Sequence, residues 1–275
     1  MKKVFSVILT LFLISNIPLL VLATDDSTEL YKDAFTHLNG QIITGYDESD
    51  YFNDKFGEIG VTRAEMAMII CNMLGVQPEQ SEKSVFSDCT EMQWCVPYVN
   101  QLYNLNIVSG YGNSLYKPSS KITVYETATM LIRTLGYDTE INNIGYPDKY
   151  IELAKKLNLF ANVGADLKED SYVKYGDLFI MLLNTMRSKV NNTESYLWTY
   201  RGANNESLAY TETKGTLIKI STDEDNRIQA VFNINEKEIC FNLPEECKCA
   251  KQSEITRQYV IWGTDNNIID MILCE

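Results

Sequence analysis

The sequence has little histidine and little positive charge. His37 is the only histidine among 275 residues. It lies in a segment of helical patterning with no nucleophile in a recognisable motif beside it, which argues against a Ser-His-Asp hydrolase. Lysine and arginine number 24 against 37 aspartates and glutamates, a formal net charge of −13. A chain this acidic does not bind nucleic acid through a general basic field, and it repels an anionic polymer at long range; any such binding has to come from a local site. Low-complexity tracts are absent, and beyond residue 23 no apolar run is long enough to span a bilayer. The remaining composition, 45 % hydrophobic and 11 % aromatic, supplies a core, and the length suits one large domain or two ordinary ones.

Residues 1–23 read as a secretory signal: Lys2 and Lys3, an apolar stretch from Val4 to Ile14, and Val21-Leu22-Ala23 before the polar Thr24-Asp25-Asp26. Ala23 is the expected cleavage point. An uncleaved anchor is the rival, and Ser15, Asn16 and Pro18 interrupt the run in favour of cleavage. No cysteine stands at the cleavage point, which argues against a lipid anchor. Cleavage removes two lysines and no acid, taking the charge from −13 to −15. The seven cysteines leave at least one thiol unpaired. Cys71 lies on an apolar helix face, Cys89 and Cys95 are spaced to close a small loop, and Cys240, Cys247, Cys249 and Cys274 cluster near the end. The Cys247-x-Cys249 spacing is poor for a structural zinc, and no metal or cofactor is expected.

Between these ends the chain repeats itself. Thr123-x-x-Glu126 is a capping box opening a helix with Thr127, Met130, Leu131, Thr134 and Leu135 on one face and Gly136 as its stop. Thr62-Arg63-Ala64-Glu65 opens a second, with Met66, Ile69, Ile70, Met73 and Leu74 inward and Gly75 at its end. A third is more worn: Lys174 replaces the capping Thr, Asp177 takes the Glu place, and Leu178, Met181, Leu182, Thr185 and Met186 make the stripe. Upstream, Ile42-Ile43-Thr44-Gly45-Tyr46 parallels Ile107-Val108-Ser109-Gly110-Tyr111, and Asn162 stands where the loop glycine stood. Three helix–loop–helix copies (about 28–75, 84–136 and 145–187), none stable singly, are expected to pack around a common axis.

The pattern Phe86-x-Asp88, Trp94, Ile107-Val-x-Gly-Tyr, Lys117-Pro118, Ile122-Thr-x-x-Glu126 and Leu135-Gly-Tyr resembles the S-layer homology (SLH) repeat. Thr62-Arg-Ala-Glu65 matches that family's most recognisable motif without change. Gly145-Tyr-Pro-Asp-Lys-Tyr150 and Tyr175-Gly-Asp177 resemble third repeats of clostridial-type SLH proteins. The resemblance covers roughly residues 28–188. It implies an α-helical pseudo-threefold module that binds secondary cell-wall polysaccharide non-covalently and holds an exported protein on a Gram-positive-type envelope. The implied ligand is anionic, in this family often pyruvylated.

For an anionic sugar, an arginine fork at the first turn of a helix suits a carboxylate, and the helix start adds free amides. Arg63 holds that position. Gly45 and Gly110 permit backbone approach, and Tyr46 and Tyr111 are placed to stack on sugar faces; the bland readings are turn glycines and loop packing. Asp88 reads as a helix cap, Trp94 as core, and Thr62, Glu65, Thr123 and Glu126 as capping residues. Val124 and Tyr175 replace the motif arginine in the second and third copies, so at most one anion-binding groove is expected.

The stretch 189–195 reads as a polar linker, and residues 196–275 as a small all-β domain with strands over 215–220, 228–234, 238–243, 258–262 and 268–273. The fold class is therefore a helical repeat module (24–188) followed by a β domain. The acidic run 223–225 reads as a hairpin turn, since the spacing of a calcium loop is missing. The roughly eighty residues after the repeats are few for a glycan hydrolase, and no enzyme is expected. Two readings stand: a wall-anchored surface protein, or a structural component of a surface or spore layer whose degenerate repeats make protein–protein contacts.

Overall fold

The computed structural model describes residues 27–44, 55–138, 145–164, 167–201, 210–224, 227–243, 255–264 and 267–273. The expected signal segment with Ala23, the loop residues Gly45 and Tyr46, and Cys247, Cys249 and Cys274 lie outside them. Among the described residues no helix is long and apolar enough to cross a membrane.

The N-terminal region is helical: α1 (Ser27–Leu38), α2 (Arg63–Leu74), α3 (Val96–Asn104), α4 (Val124–Thr134), α5 (Asp148–Lys156), α6 (Tyr175–Met186) and the short α7 (Leu197–Tyr200). The capping boxes form at Thr62/Glu65 and Thr123/Glu126, while Lys174 offers α6 no side-chain cap. Gly75 (φ 68°) ends α2, Gly136 (φ 80°) follows α4, and Asn162 (φ 62°) takes the left-handed turn. The helices pack in a cycle: α3 on α2, α5 on α4, and α1 on α6. Each first helix of a copy thus lies on the second helix of the copy before it, and the last pairing closes the circle.

Backbone hydrogen bonds repeat that cycle at its centre. The amide of Ile122 donates to Val61 O, that of Val173 to Ile122 O, and that of Val61 to Val173 O, each at 2.9 Å. Single β-bridges flank this ring at Thr62/Lys121, Thr123/Tyr172 and Gly60/Lys174. All three segments just before a helix therefore find their partners in one another, which satisfies polar backbone in a buried place.

The C-terminal region is a closed five-stranded barrel in the order β1-β2-β3-β5-β4, from β1 (Thr211–Thr222), β2 (Ile228–Ile234), β3 (Lys237–Asn242), β4 (Gln258–Thr264) and β5 (Asn267–Leu273). Closure leaves no open sheet edge. β1 is longer than the expected 215–220. Asp223 closes the β1–β2 turn by accepting from the Arg227 amide and Nε, both at 2.9 Å.

Barrel and helices share packing. On β4, Tyr259 and Ile261 fill the barrel, while Val260 and Trp262 join the helical core. Burial on both faces explains the unbroken Tyr-Val-Ile-Trp run. On β5 the register slips by one residue between Ile268 and Asp270, a bulge that turns Asp270 toward the helices. There Asp270 accepts from Arg187 Nε (2.8 Å), Arg187 NH2 (2.6 Å) and Trp198 Nε1 (3.0 Å). Burial pushes the Asp270 carboxyl up, yet Arg187, His37 and the Trp198 indole together outweigh this and hold it below the ordinary aspartate range.

Residues 189–195 are not a free linker. The Asn191 amide donates to Leu135 O, the Val190 amide donates to Ser195 O, and Val190 is buried. Leu197 and Trp198, assigned from sequence to the β domain, belong to the helical core. The polar composition of this stretch concealed a turn tied to the end of α4.

Candidate functional site

The site is built where α2 begins. Its first two amides do not face open space: Arg63 N donates to Ser120 O and Ala64 N to Pro118 O, both at 3.0 Å. The Glu65 amide donates to Thr62 Oγ1 at 3.2 Å. The free amides expected at this helix start are therefore consumed by the loop of the next copy and by the cap, which leaves the side chain of Arg63 as the contribution of the motif.

That side chain is 6 % exposed and closely held. Arg63 Nε donates to Tyr116 O at 2.9 Å, and Tyr116 Oη donates back to Arg63 O at 2.9 Å. Its NH1 lies 3.1 Å from Glu126 Oε1. The guanidinium carbon sits 4.7 Å from the Tyr111 ring centroid and 4.6 Å from that of Tyr116, two cation–π contacts. Glu126 is thus more than a cap: Oε2 accepts the Thr123 amide at 3.0 Å, while Oε1 takes Arg63 and the hydroxyl of Tyr111. Burial, together with that hydrogen bond to Glu126, pushes the Tyr111 phenol up to about 12.

Asp88 does not cap a helix. Its carboxylate accepts the amides of Tyr116 (2.9 Å) and Lys117 (2.7 Å), pinning the loop that carries the partners of Arg63. Trp94 is not core: it is 46 % exposed, on a short 3-10 segment broken at Met92. Cys89 and Cys95 are both buried as free thiols. Gly110 has φ +73°, and a Cβ there would lie 2.4 Å from Phe86 Cε1 and 2.6 Å from Leu115 O. The loop closes tightly there, and glycine is required for conformation as well as space.

A cavity of about 410 Å3 opens over these groups, lined by Arg63, Gly110, Tyr111, Glu126, Arg133 and Tyr146 among others. This volume lies in the range of small-ligand sites. Tyr111 and Tyr146 stand exposed at its walls. Of the ligand-facing residues expected from sequence, Arg63, Gly110 and Tyr111 meet here; Gly45 and Tyr46 lie outside the described residues.

Arg133 and Tyr146 escaped the sequence reading. Arg133 Nε pairs with Asp138 at 3.0 Å, its NH1 donates to Ile107 O at 3.3 Å, and its NH2 donates to Tyr150 Oη at 3.2 Å. A signal for it existed. Asn72, Arg133 and Asn184 stand at the same interval after Thr62, Thr123 and Lys174, and each donates to a carbonyl of its own copy's loop: Asn72 to Ile42 O, Asn184 to Leu159 O. Only the middle copy places a cation there.

The corresponding helix starts hold no arginine. Val124 is buried, and Tyr175 is buried with its ring stacked on Phe56 at 4.7 Å between centroids. His37 is not among the residues lining the cavity: its Nδ1 is 3.7 Å from Asp270 Oδ1, with both side chains fully enclosed. Among the described residues no cluster of histidine, cysteine and acidic side chains is arranged to hold a metal ion.

Comparison with known proteins bears on the same region. Residues 85–123 match the model of the S-layer homology domain. They run from just before Phe86 through Asp88, Gly110, Tyr111 and Tyr116 to Thr123, so most of the cavity-forming loop falls inside the match. The chain is 28 % identical over 151 residues to a middle cell wall protein of Brevibacillus brevis, covering 53 % of this chain and 13 % of that protein. It is 26 % identical over 208 residues to a surface layer protein of Brevibacillus choshinensis, covering 71 % of this chain and 18 % of the other. An S-layer protein of Bacillus thuringiensis subsp. finitimus is 27 % identical over 100 residues. The chain spans less than a fifth of the length of these relatives. It carries an S-layer homology domain, and it is similar to cell-wall and surface-layer proteins.

Proposed function

We propose that this chain is a secreted cell-surface protein held non-covalently to a Gram-positive-type envelope by three tandem SLH repeats of clostridial type, and that the Arg63 cavity binds secondary cell-wall polysaccharide. The cavity carries this reading: the intact family motif of the first copy and the loop of the second converge on one concavity walled by Tyr111 and Tyr146. Aromatic faces and charged hydrogen-bonding groups suit a polyhydroxylated ligand. The cyclic helix packing and the ring joining Val61, Ile122 and Val173 support a pseudo-threefold module. The buried Val124 and Tyr175 support one working groove rather than three. We assign no catalytic step and no cofactor.

The purified chain is expected to pellet with isolated walls and not with walls chemically stripped of polysaccharide. Arg63→Ala should lose most of that pelleting, while a thermal melt confirms that the variant folds. A folded Arg63→Ala protein that pellets like its parent contradicts the reading. A second reading, a surface- or spore-layer component whose worn repeats contact protein, is favoured by the plugged helix starts at Val124 and Tyr175. Ordered self-assembly without wall material would support it.

A further inference from the structure

Two buried thiols take no part in lining the cavity. Cys89 and Cys95 lie near the two ends of the 3-10 segment Ser87–Cys95, both enclosed and both free. Along an unbroken 3-10 helix the rise between them would be about 12 Å, whereas the Cα atoms of a disulfide lie within about 7 Å of each other. The backbone leaves helical geometry at Met92 (φ −122°, ψ 61°), and the two side chains meet: the Cys95 thiol donates a hydrogen bond to Cys89. That bond holds the Cys89 thiol below its ordinary value and, together with burial, pushes the Cys95 thiol up. The same segment anchors the neighbouring loop. Asp88, next to Cys89, accepts the amides of Tyr116 and Lys117 at 2.9 and 2.7 Å, and Phe86 packs on the Tyr116 ring at 5.5 Å between centroids.

We propose that Cys89 and Cys95 close an intrachain disulfide when the chain meets an oxidising environment, and that this bond braces the Asp88 anchor of the Tyr116–Lys117 loop. The oxidant is a small-molecule disulfide. The Cys89 thiolate attacks it, forming a mixed disulfide and releasing one thiolate; the Cys95 thiolate then attacks the Cys89 sulfur and releases the second. The two protons lost by the protein thiols go to the two released thiolates. The protein pair gives up two electrons and the external disulfide takes them. Because both sulfurs end up enclosed, the exchange takes place as the chain folds, before the segment closes over them. The oxidising setting follows from the export in the proposed function; the ligand of the cavity does not enter the argument. Closing even a short loop restricts the unfolded chain and so favours the folded one.

The pairing is tested on the full chain. It is refolded from urea in glutathione disulfide, its remaining thiols are blocked with N-ethylmaleimide in urea, and the digest is mapped by mass spectrometry. In most chains Cys89 and Cys95 are expected to be joined to each other, unblocked and lighter by two hydrogens than the reduced pair. Both thiols blocked, or either joined to another cysteine, overturns the pairing. The oxidised parent should melt roughly 5 °C above the same sample reduced with a phosphine, and Cys89→Ala/Cys95→Ala should lose most of that difference. A parent that melts at one temperature in both forms, or a double variant that keeps the whole difference, overturns the bracing role. Should the double variant fail to fold, the mass map and the two melts of the parent decide. Pelleting with walls is measured on the same oxidised sample; its failure counts against the saccharide reading and leaves the disulfide standing.

Discussion

Arg63 and Arg187 each face a carboxylate near the end of a long helix, and the two pairs do different work. Arg187, just past α6, makes two short bonds to Asp270, whose side chain is wholly enclosed and also takes the Trp198 indole. Arg63, at the start of α2, touches Glu126 through one nitrogen at the wall of an open cavity and lies over two tyrosine rings. The first pair joins the barrel to the helices. The second has a cavity beside it into which a ligand group can enter. An adjoining cavity, rather than residue type or the exposure of the arginine (6 % for the Arg63 side chain against 25 % for Arg187), marks the second pair as a candidate recognition group.

The sharpest way to break this comparison is to truncate both carboxylates. Asp270→Ala leaves the half-buried Arg187 and the fully buried Trp198 indole without their shared partner and is expected to cost about 3–5 kcal/mol. Glu126→Ala, beside a cavity that admits water, should cost less, roughly 1–3 kcal/mol. Urea unfolding monitored by tryptophan fluorescence measures both, and equal losses would show that the two pairs are not different in kind. The pH dependence has a definite sign. Because the Asp270 carboxyl is depressed in the folded chain, its contribution is complete above the ordinary aspartate value of roughly 4. It is lost as pH falls through the depressed value. Asp270→Asn should flatten the acid limb of a stability profile in that window.

Gly110→Ala sharpens the comparison from the side of the loop. The new methyl would meet Phe86 and Leu115 O in a left-handed backbone, at an expected cost of about 1–3 kcal/mol. Ligand binding at the Arg63 cavity should weaken while the Arg187–Asp270 junction, followed by its acid limb, stays as it was. Trp94→Ala is the smallest effect. An exposed side chain away from caps and buried polar groups changes stability by no more than about 0.5 kcal/mol, and a larger loss in the same urea assay would mean that the indole packs in solution.

The helices and strands were legible because their signals are local. A capping box, an apolar stripe and a terminal glycine occupy one short stretch each, and alternation marked the five strands. What escaped depends on distance in the chain. Glu126 looked like a cap because its partner Thr123 is three residues away; its second partner, Arg63, belongs to another copy. Asp88 looked like a cap by position, but its amide partners are Tyr116 and Lys117. Trp94 looked like core because tryptophan is apolar, yet its short 3-10 segment turns it outward. The polar stretch 189–195 looked like a linker, and its backbone bonds to Leu135 come only from folding.

The chain's order of residues by itself determined the helices, their caps, the strands and the placing of an arginine at the first turn of α2, since each rests on contacts within a few residues. Only the tertiary structure decided that the three pre-helix segments would bond in a ring and that Asp270 would turn from barrel to helices through a bulge. It also decided that Arg63 would meet Glu126 beside a cavity rather than present bare amides and charge. These outcomes follow from which buried polar groups find partners once the copies close on one another, and that pairing is a property of the assembled core rather than of any one stretch.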